Sequence, residues 1–161
     1  MKNRYTFSPL AKKIFKDIDE HHGRAFLVGG IVRDMLIYNR VDYHDVDVEV
    51  YGLSVDELEE LLANYGNVNS MVIIRILNRC LQFDFALPRT EIKTGESHQD
   101  FDVTVNQNLD LKVAASRRDL TINALMYEIK TGKIYDFFMV KKILKKEHYE
   151  WLVKQLLLKI R

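Results

Sequence analysis

The chain has 161 residues, 47% of them hydrophobic, a formal net charge of +1 and a single cysteine, Cys80. That size and composition suit one core of ordinary domain dimensions and argue against disorder. The lone cysteine excludes an internal disulfide, no apolar run approaches bilayer-spanning length, and the charged start from Met1 to Tyr5 lacks a secretory apolar region, so a soluble cytoplasmic protein without membrane contact is expected.

Ser8 and Pro9, followed by Leu10, Ile14, Phe15 and Ile18, read as an N-cap, a first-turn proline and an apolar helical stripe running to Gly23. Ala25 to Val28 is short and apolar enough for a buried strand. It ends at Gly29-Gly30, where a second helical pattern begins with Ile31, Val32, Met35 and Leu36. The run His44-Asp45-Val46-Asp47-Val48 then alternates with period two. Ser54 and Glu57 have capping-box spacing, so with Leu58, Leu61 and Leu62 they predict a helix that stops near Tyr65-Gly66. Two alternating runs, 68–77 and 80–87, joined at Asn78-Arg79, predict a hairpin. From Pro88 to Asn108 the chain is polar with little periodicity, which predicts a long mobile loop. Helical patterns return at 109–115 and 118–125, and a small hairpin is expected from Tyr127-Glu128-Ile129 and Ile134 to Phe137, turning at Thr131-Gly132-Lys133. The fold class is therefore α/β or α+β with a mixed sheet.

Three aspartates stand inside alternating runs. Residues two apart on a strand face the same side, so Asp45 and Asp47 present both carboxylates to one face, and Asp84 can join them from a neighbouring strand. Two unit charges about 4 Å apart repel by roughly 4 kcal/mol at an effective dielectric near 20, so such carboxylates share a proton or hold a cation. Asp-x-Asp also occurs on ordinary surface strands. Val46, Val48 and Val50, on the opposite parity, put the apolar side in the core and the aspartates on a cleft or solvent face. Gly29-Gly30 at a strand-to-helix junction allows close backbone approach by phosphate oxygens, although a simple tight turn explains it too. Arg33 and Asp34 follow in the first turns of that helix. In Arg117-Arg118-Asp119-Leu120-Thr121-Ile122-Asn123-Ala124-Leu125 the polar residues are dense, and a solvated face or an arginine–aspartate pair accounts for some of them.

Taken in order, Leu27 to Asp34, Asp45-Val46-Asp47, Asp84 to Glu91 and Arg117 to Leu125 resemble the head domain of bacterial tRNA nucleotidyltransferases and poly(A) polymerases, over about residues 8–138. The resemblance implies the polymerase-β-like nucleotidyltransferase fold, a mixed sheet flanked by helices. It also implies transfer of CMP or AMP from CTP or ATP to an RNA 3′ end, as CCA addition to tRNA or as polyadenylation, with two Mg²⁺ ions. By the same resemblance Asp45 and Asp47 are metal ligands and Asp84 is the third catalytic carboxylate. Gly29 and Gly30 then meet the triphosphate with Arg33 and Asp34 in support, Arg118, Asp119 and Asn123 serve the ribose and nucleotide, and Arg89 is a further phosphate-side candidate.

The sequence departs from that pattern in places. Residues 67–72 pass straight into a strand where relatives carry a glycine-rich segment, and after Asp136 the chain reads Phe137-Phe138-Met139-Val140-Lys141-Lys142 in place of a Gly-Gly turn and an acidic helix. The chain reads as a head without the neck, body and tail that choose C or A and grip tRNA. Residues 139–161 carry a net charge of +5, against −4 for the rest, and are expected to form a basic amphipathic helix appended to the 1–138 head. Packing on the head, RNA-backbone contact and a membrane-surface role are the alternatives for it. Two hypotheses follow: a catalytic transferase with its missing parts on a separate neck and body chain, or a degenerate head that binds nucleotide, RNA or a partner without efficient turnover. An apolar surface where the neck would sit also makes a homo-oligomer an expectation.

Overall fold

The computed structural model describes residues 7–38, 46–66, 73–78, 81–93 and 101–145. Its main sheet has six strands in the order β3-β4-β2-β1-β7-β8: β3 (Ile73–Asn78), β4 (Leu81–Ala86), β2 (Val46–Tyr51), β1 (Arg24–Val28), β7 (Met126–Glu128) and β8 (Ile134–Tyr135). Among the described pairings of this sheet, only β2 with β4 is parallel. The mixed sheet with flanking helices agrees with the sequence reading.

Local chemistry accounts for the helices. In α1 (Pro9–Glu20) the Ser8 hydroxyl accepts from the Ala11 N–H at 3.1 Å, with proline at the first position, where a missing N–H costs nothing. In α3 (Val55–Ala63) Ser54 and Glu57 cap each other reciprocally, and the first-turn acids Asp56 and Glu57 favour the helix dipole. Asp110 caps α4 (Leu111–Ser116) through the Lys112 and Val113 N–H groups. Asp136 accepts from Val140 and Lys141 at the start of α5 (Val140–Ile143). Beyond Lys145 the expected basic helix lies outside the described residues.

Strand parity divides the interior. One face buries Ala25 and Leu27 of β1, Val46, Val48 and Val50 of β2, Ile74 and Ile76 of β3, and Phe83 and Phe85 of β4 against Ile14, Ile18, Leu58 and Leu62 of the helices, with Val32 and Met35 from α2 (Gly30–Tyr38). Among the described residues the other face is covered at one end, where Phe26, Val28, Tyr51 and Met126 pack with Ala114, Ala115 and Ala124. Beside that smaller cluster the same face carries charge: Asp47 and Glu49 on β2, Asp84 on β4 and Arg75 on β3.

Two expectations need correction. The stretch from Pro88 to Asn108, predicted as a loop, contains a hairpin of β5 (Arg89–Lys93) and β6 (Phe101–Val105), closed by the Asn106 N–H donating to the Pro88 carbonyl at 2.9 Å. A two-stranded ribbon has little core face, so its polar residues such as Thr90 and Thr104 mask the alternation that marks a buried strand. The helix predicted over 118–125 is absent as well. After α4 the chain bends through Arg117 to Leu120, makes one 3₁₀ turn at Thr121–Asn123 and enters β7. Leu120, Ile122 and Ala124 are spaced by two, a strand period, and Thr121 and Ile122 are β-branched. The predicted hairpin at 127–137 forms as β7 and β8.

Candidate active site

Asp47 and Asp84 are direct partners in the parallel β2–β4 ladder, so their side chains stand next to each other on one face. Together with Glu49, Arg89, Arg117 and Arg118 they line an open cleft of about 190 Å³ floored by Val28, Val48 and Ala86. Asp45, with His44, lies outside the described residues, as do 67–72, where the shortened loop is expected.

Gly29 forms the corner of this cleft. Its φ is +78°, the left-handed region that glycine enters without steric cost, and a Cβ there would lie 3.3 Å from Asp47 Oδ2 and 4.0 Å from Arg118 Nη1. Gly30, the first residue of α2, meets a different guanidinium: a Cβ on it would lie 3.3 Å from Arg33 Nη2. Arg33 in turn forks onto Asp34 at 2.7 and 3.0 Å and donates from Nη1 to Asn123 Oδ1 at 2.8 Å. Of these candidates, the nine catalytic and nucleotide-binding ones other than Asp45 thus separate into groups. Asp47, Asp84, Gly29 and Arg118 share the cleft, Gly30, Arg33, Asp34 and Asn123 form an adjoining hydrogen-bonded set, and Asp119 is exposed and pairs with neither among the described residues.

The arginine motif turns toward a residue that sequence reasoning missed. Glu49 retains 2% of its surface, with Arg117 Nη2 at 3.5 Å from Oε1, Arg118 Nη2 at 3.3 Å from Oε2, and the Tyr51 hydroxyl donating to Oε2 at 3.3 Å. Burial lowers the Arg118 guanidinium from its ordinary value and the Glu49 charge opposes that shift. Burial, followed by the Glu49 charge, pushes the Tyr51 phenol well up, so it stays a neutral donor. Arg118 Nε is buried without a hydrogen-bond acceptor among the described residues. The signal for Glu49 was in the sequence, since it continues the parity of Asp45 and Asp47. Arg75, also missed, faces Asp84 across β3–β4 and grips both its oxygens at 2.8 Å. It interrupts an otherwise apolar Ile-Arg-Ile alternation.

Hard carboxylate oxygens facing an open cleft are the donors that Mg²⁺ takes, so Asp47 and Asp84 fit such an ion, and Asp45 shares the Asp47 parity. No group of three or more His, Cys, Asp or Glu side chains suited to a metal occurs among the described residues. Both Glu49 oxygens are taken by arginines. The site therefore has an acidic part at Asp47–Asp84 and a cationic part at Arg117–Arg118, with the glycine corner between α2 and both.

The chain is similar to known proteins. A family model described as the poly A polymerase head domain matches residues 25–149. A CCA-adding enzyme from Buchnera aphidicola subsp. Cinara cedri is 36% identical over 124 residues, which is 77% of this chain and 29% of that protein. Among solved structures, an apo form of a CCA-adding enzyme aligns with a TM-score of 0.66 at 26% identity, covering 87% of this chain and 34% of the other. A tRNA nucleotidyltransferase complexed with a primer tRNA and an incoming ATP analogue aligns at 0.61 and 28% identity, covering 82% and 36%. The chain spans less than a third of the length of the curated relative named here.

Proposed function

The chain belongs to the poly(A) polymerase head-domain family, and from that premise we propose that it is a metal-dependent nucleotidyltransferase adding CMP or AMP from CTP or ATP to an RNA 3′ end. Its similarity to CCA-adding enzymes and to a tRNA nucleotidyltransferase complexed with a primer tRNA favours tRNA and CCA addition over polyadenylation. The observation that carries the reading is the side-by-side placement of Asp47 and Asp84 in a cleft that also holds Gly29 and Arg118. Within it, residues 1–138 form the head and 139–161 a basic appendage, of which Val140 packs into the main core. A cytoplasmic location accords with tRNA processing, and no described helix is long and apolar enough to cross a membrane.

Asp45, Asp47 and Asp84 would hold Mg²⁺, which when bound lowers the pKa of an attacking hydroxyl and neutralises the triphosphate. Asp84 also orients the 3′ hydroxyl. The oxygen of that hydroxyl bonds to the α-phosphorus, its proton passing to water, as the bond to pyrophosphate breaks and pyrophosphate leaves. Gly29 admits the phosphates by having no Cβ, and Arg118 and Arg89, which both line the cleft, offer guanidinium donors to their oxygens. Arg33, tied to Asp34 and Asn123, keeps the start of α2 and the 3₁₀ turn together, so Asn123 and the glycine corner face the nucleotide as one unit.

The bidentate Arg75–Asp84 contact supports a second reading, a head that binds nucleotide without efficient turnover, because it occupies both oxygens of the third carboxylate. Incubating the chain with labelled CTP or ATP, Mg²⁺ and tRNA lacking its 3′ terminus separates the two. Incorporation that disappears in Asp47→Ala supports the transferase. No incorporation from the unaltered chain, with measurable nucleotide binding, selects the second reading.

A further inference from the structure

Glu49 is a buried carboxylate on the same strand face as Asp47, yet its oxygens point to the cationic part of the cleft, one toward Arg117 and the other toward Arg118. Consecutive residues on a regular helix diverge by about 100°, so two neighbouring arginines reach a single carboxylate only where the helix ends, as α4 does at Ser116. Two guanidiniums so close repel, and without a shared counter-ion one would turn out to water. An apolar residue would serve a purely structural position as well or better, since buried ion pairs seldom add stability over well-packed apolar side chains. Val46, Val48 and Val50 show what this strand uses where only packing matters.

On the reading given under Proposed function, we propose that Glu49 is the positioning residue of the nucleotide site. It gathers Arg117 and Arg118 into one preorganised cationic surface with a net charge of +1, and that surface, rather than either arginine alone, receives the triphosphate of the incoming nucleotide. Preorganisation removes the cost of ordering two long side chains when the anion arrives. It also sets the sign of the test. Deleting a negative charge near an anion site ordinarily strengthens anion binding, whereas deleting this one weakens it.

The experiment measures the dissociation constants of labelled ATP and CTP with Mg²⁺ by equilibrium dialysis, at a temperature where circular dichroism shows each variant folded. Glu49→Gln, nearly the same shape without the charge, is expected to weaken binding about tenfold, the size expected when a long side chain must be ordered on binding. Glu49→Asp keeps the charge at shorter reach and should recover part of that loss. It also stands in if the glutamine variant does not fold. In an Arg118→Gln background the Glu49→Gln change should add little, because the two-arginine surface that Glu49 gathers is already broken. Unchanged or tighter binding in Glu49→Gln overturns the proposal, as does a full additional loss in the Arg118→Gln background. If the unaltered chain binds neither nucleotide, the proposed function falls and this inference with it.

Discussion

Two arginine–carboxylate groups share one face of the main sheet, and contact geometry ranks them in the opposite order from burial. Arg75 grips Asp84 with two bonds of 2.8 Å, near the edge of the described sheet, with its side chain 52% exposed. Arg117 and Arg118 reach Glu49 only at 3.5 and 3.3 Å, but that carboxylate is almost wholly withdrawn from water. An exposed pair contributes about 0–1 kcal/mol, since water solvates either partner once the contact opens. Removing one member of a buried pair costs about 3–5 kcal/mol, because the other charge remains without water. Surroundings rather than bond length therefore decide which group can rearrange. Asp84 can exchange Arg75 for another cation at small cost. Glu49 cannot release its arginines.

The sharpest way to break this contrast is Glu49→Ala. Both arginines retain some exposure, so the expected loss is at the low end of the buried-pair range, about 3 kcal/mol in chemical denaturation. A loss below about 1 kcal/mol would place Glu49 with the exposed pairs.

Glu128 provides an intermediate case. It is buried, which pushes its pKa up, but hydrogen bonds from Thr131, Arg24 and Tyr135 outweigh burial and hold it below its ordinary value of 4.5. With the folded value below the unfolded one, the stabilisation is complete above the unfolded value and is lost as pH falls through the folded one. Denaturation midpoints of the unaltered chain should fall below about pH 4.5, and a Glu128→Gln variant should show a shallower acid decline. Identical acid profiles would remove Glu128 from the series.

Arg75→Ala is expected to have the smallest effect on stability, under about 1 kcal/mol. On cation binding its effect should have a definite sign: with both Asp84 oxygens released, Mn²⁺ binding followed by electron paramagnetic resonance should tighten a few-fold, as removal of a nearby cation predicts. Weaker binding would mean that Arg75 holds Asp84 in place for the ion instead of competing with it.

What the sequence determined by itself was local. Ser8-Pro9 and the Ser54–Glu57 box specify helix starts because caps are satisfied within a few residues. The alternation of Val46, Val48 and Val50 sets which way Asp47 points, because strand parity depends on nothing beyond the strand. The same parity contained Glu49, whose position was legible though its partners were not. The hairpin at 89–105 escaped because a ribbon with little buried face carries a weak apolar signature. The segment 118–125 escaped because helical and extended readings of a short apolar run differ only in what the chain next packs against.

Tertiary structure decided the site. The parallel pairing of β2 with β4 sets Asp84 beside Asp47, the break after α4 brings Arg117 and Arg118 onto Glu49, and Arg33 meets Asn123 ninety positions along the chain. None of these contacts has a local cause. Each exists because the apolar face of the sheet had to be buried under the helices, which left the opposite face of β2 and β4 to carry the charge.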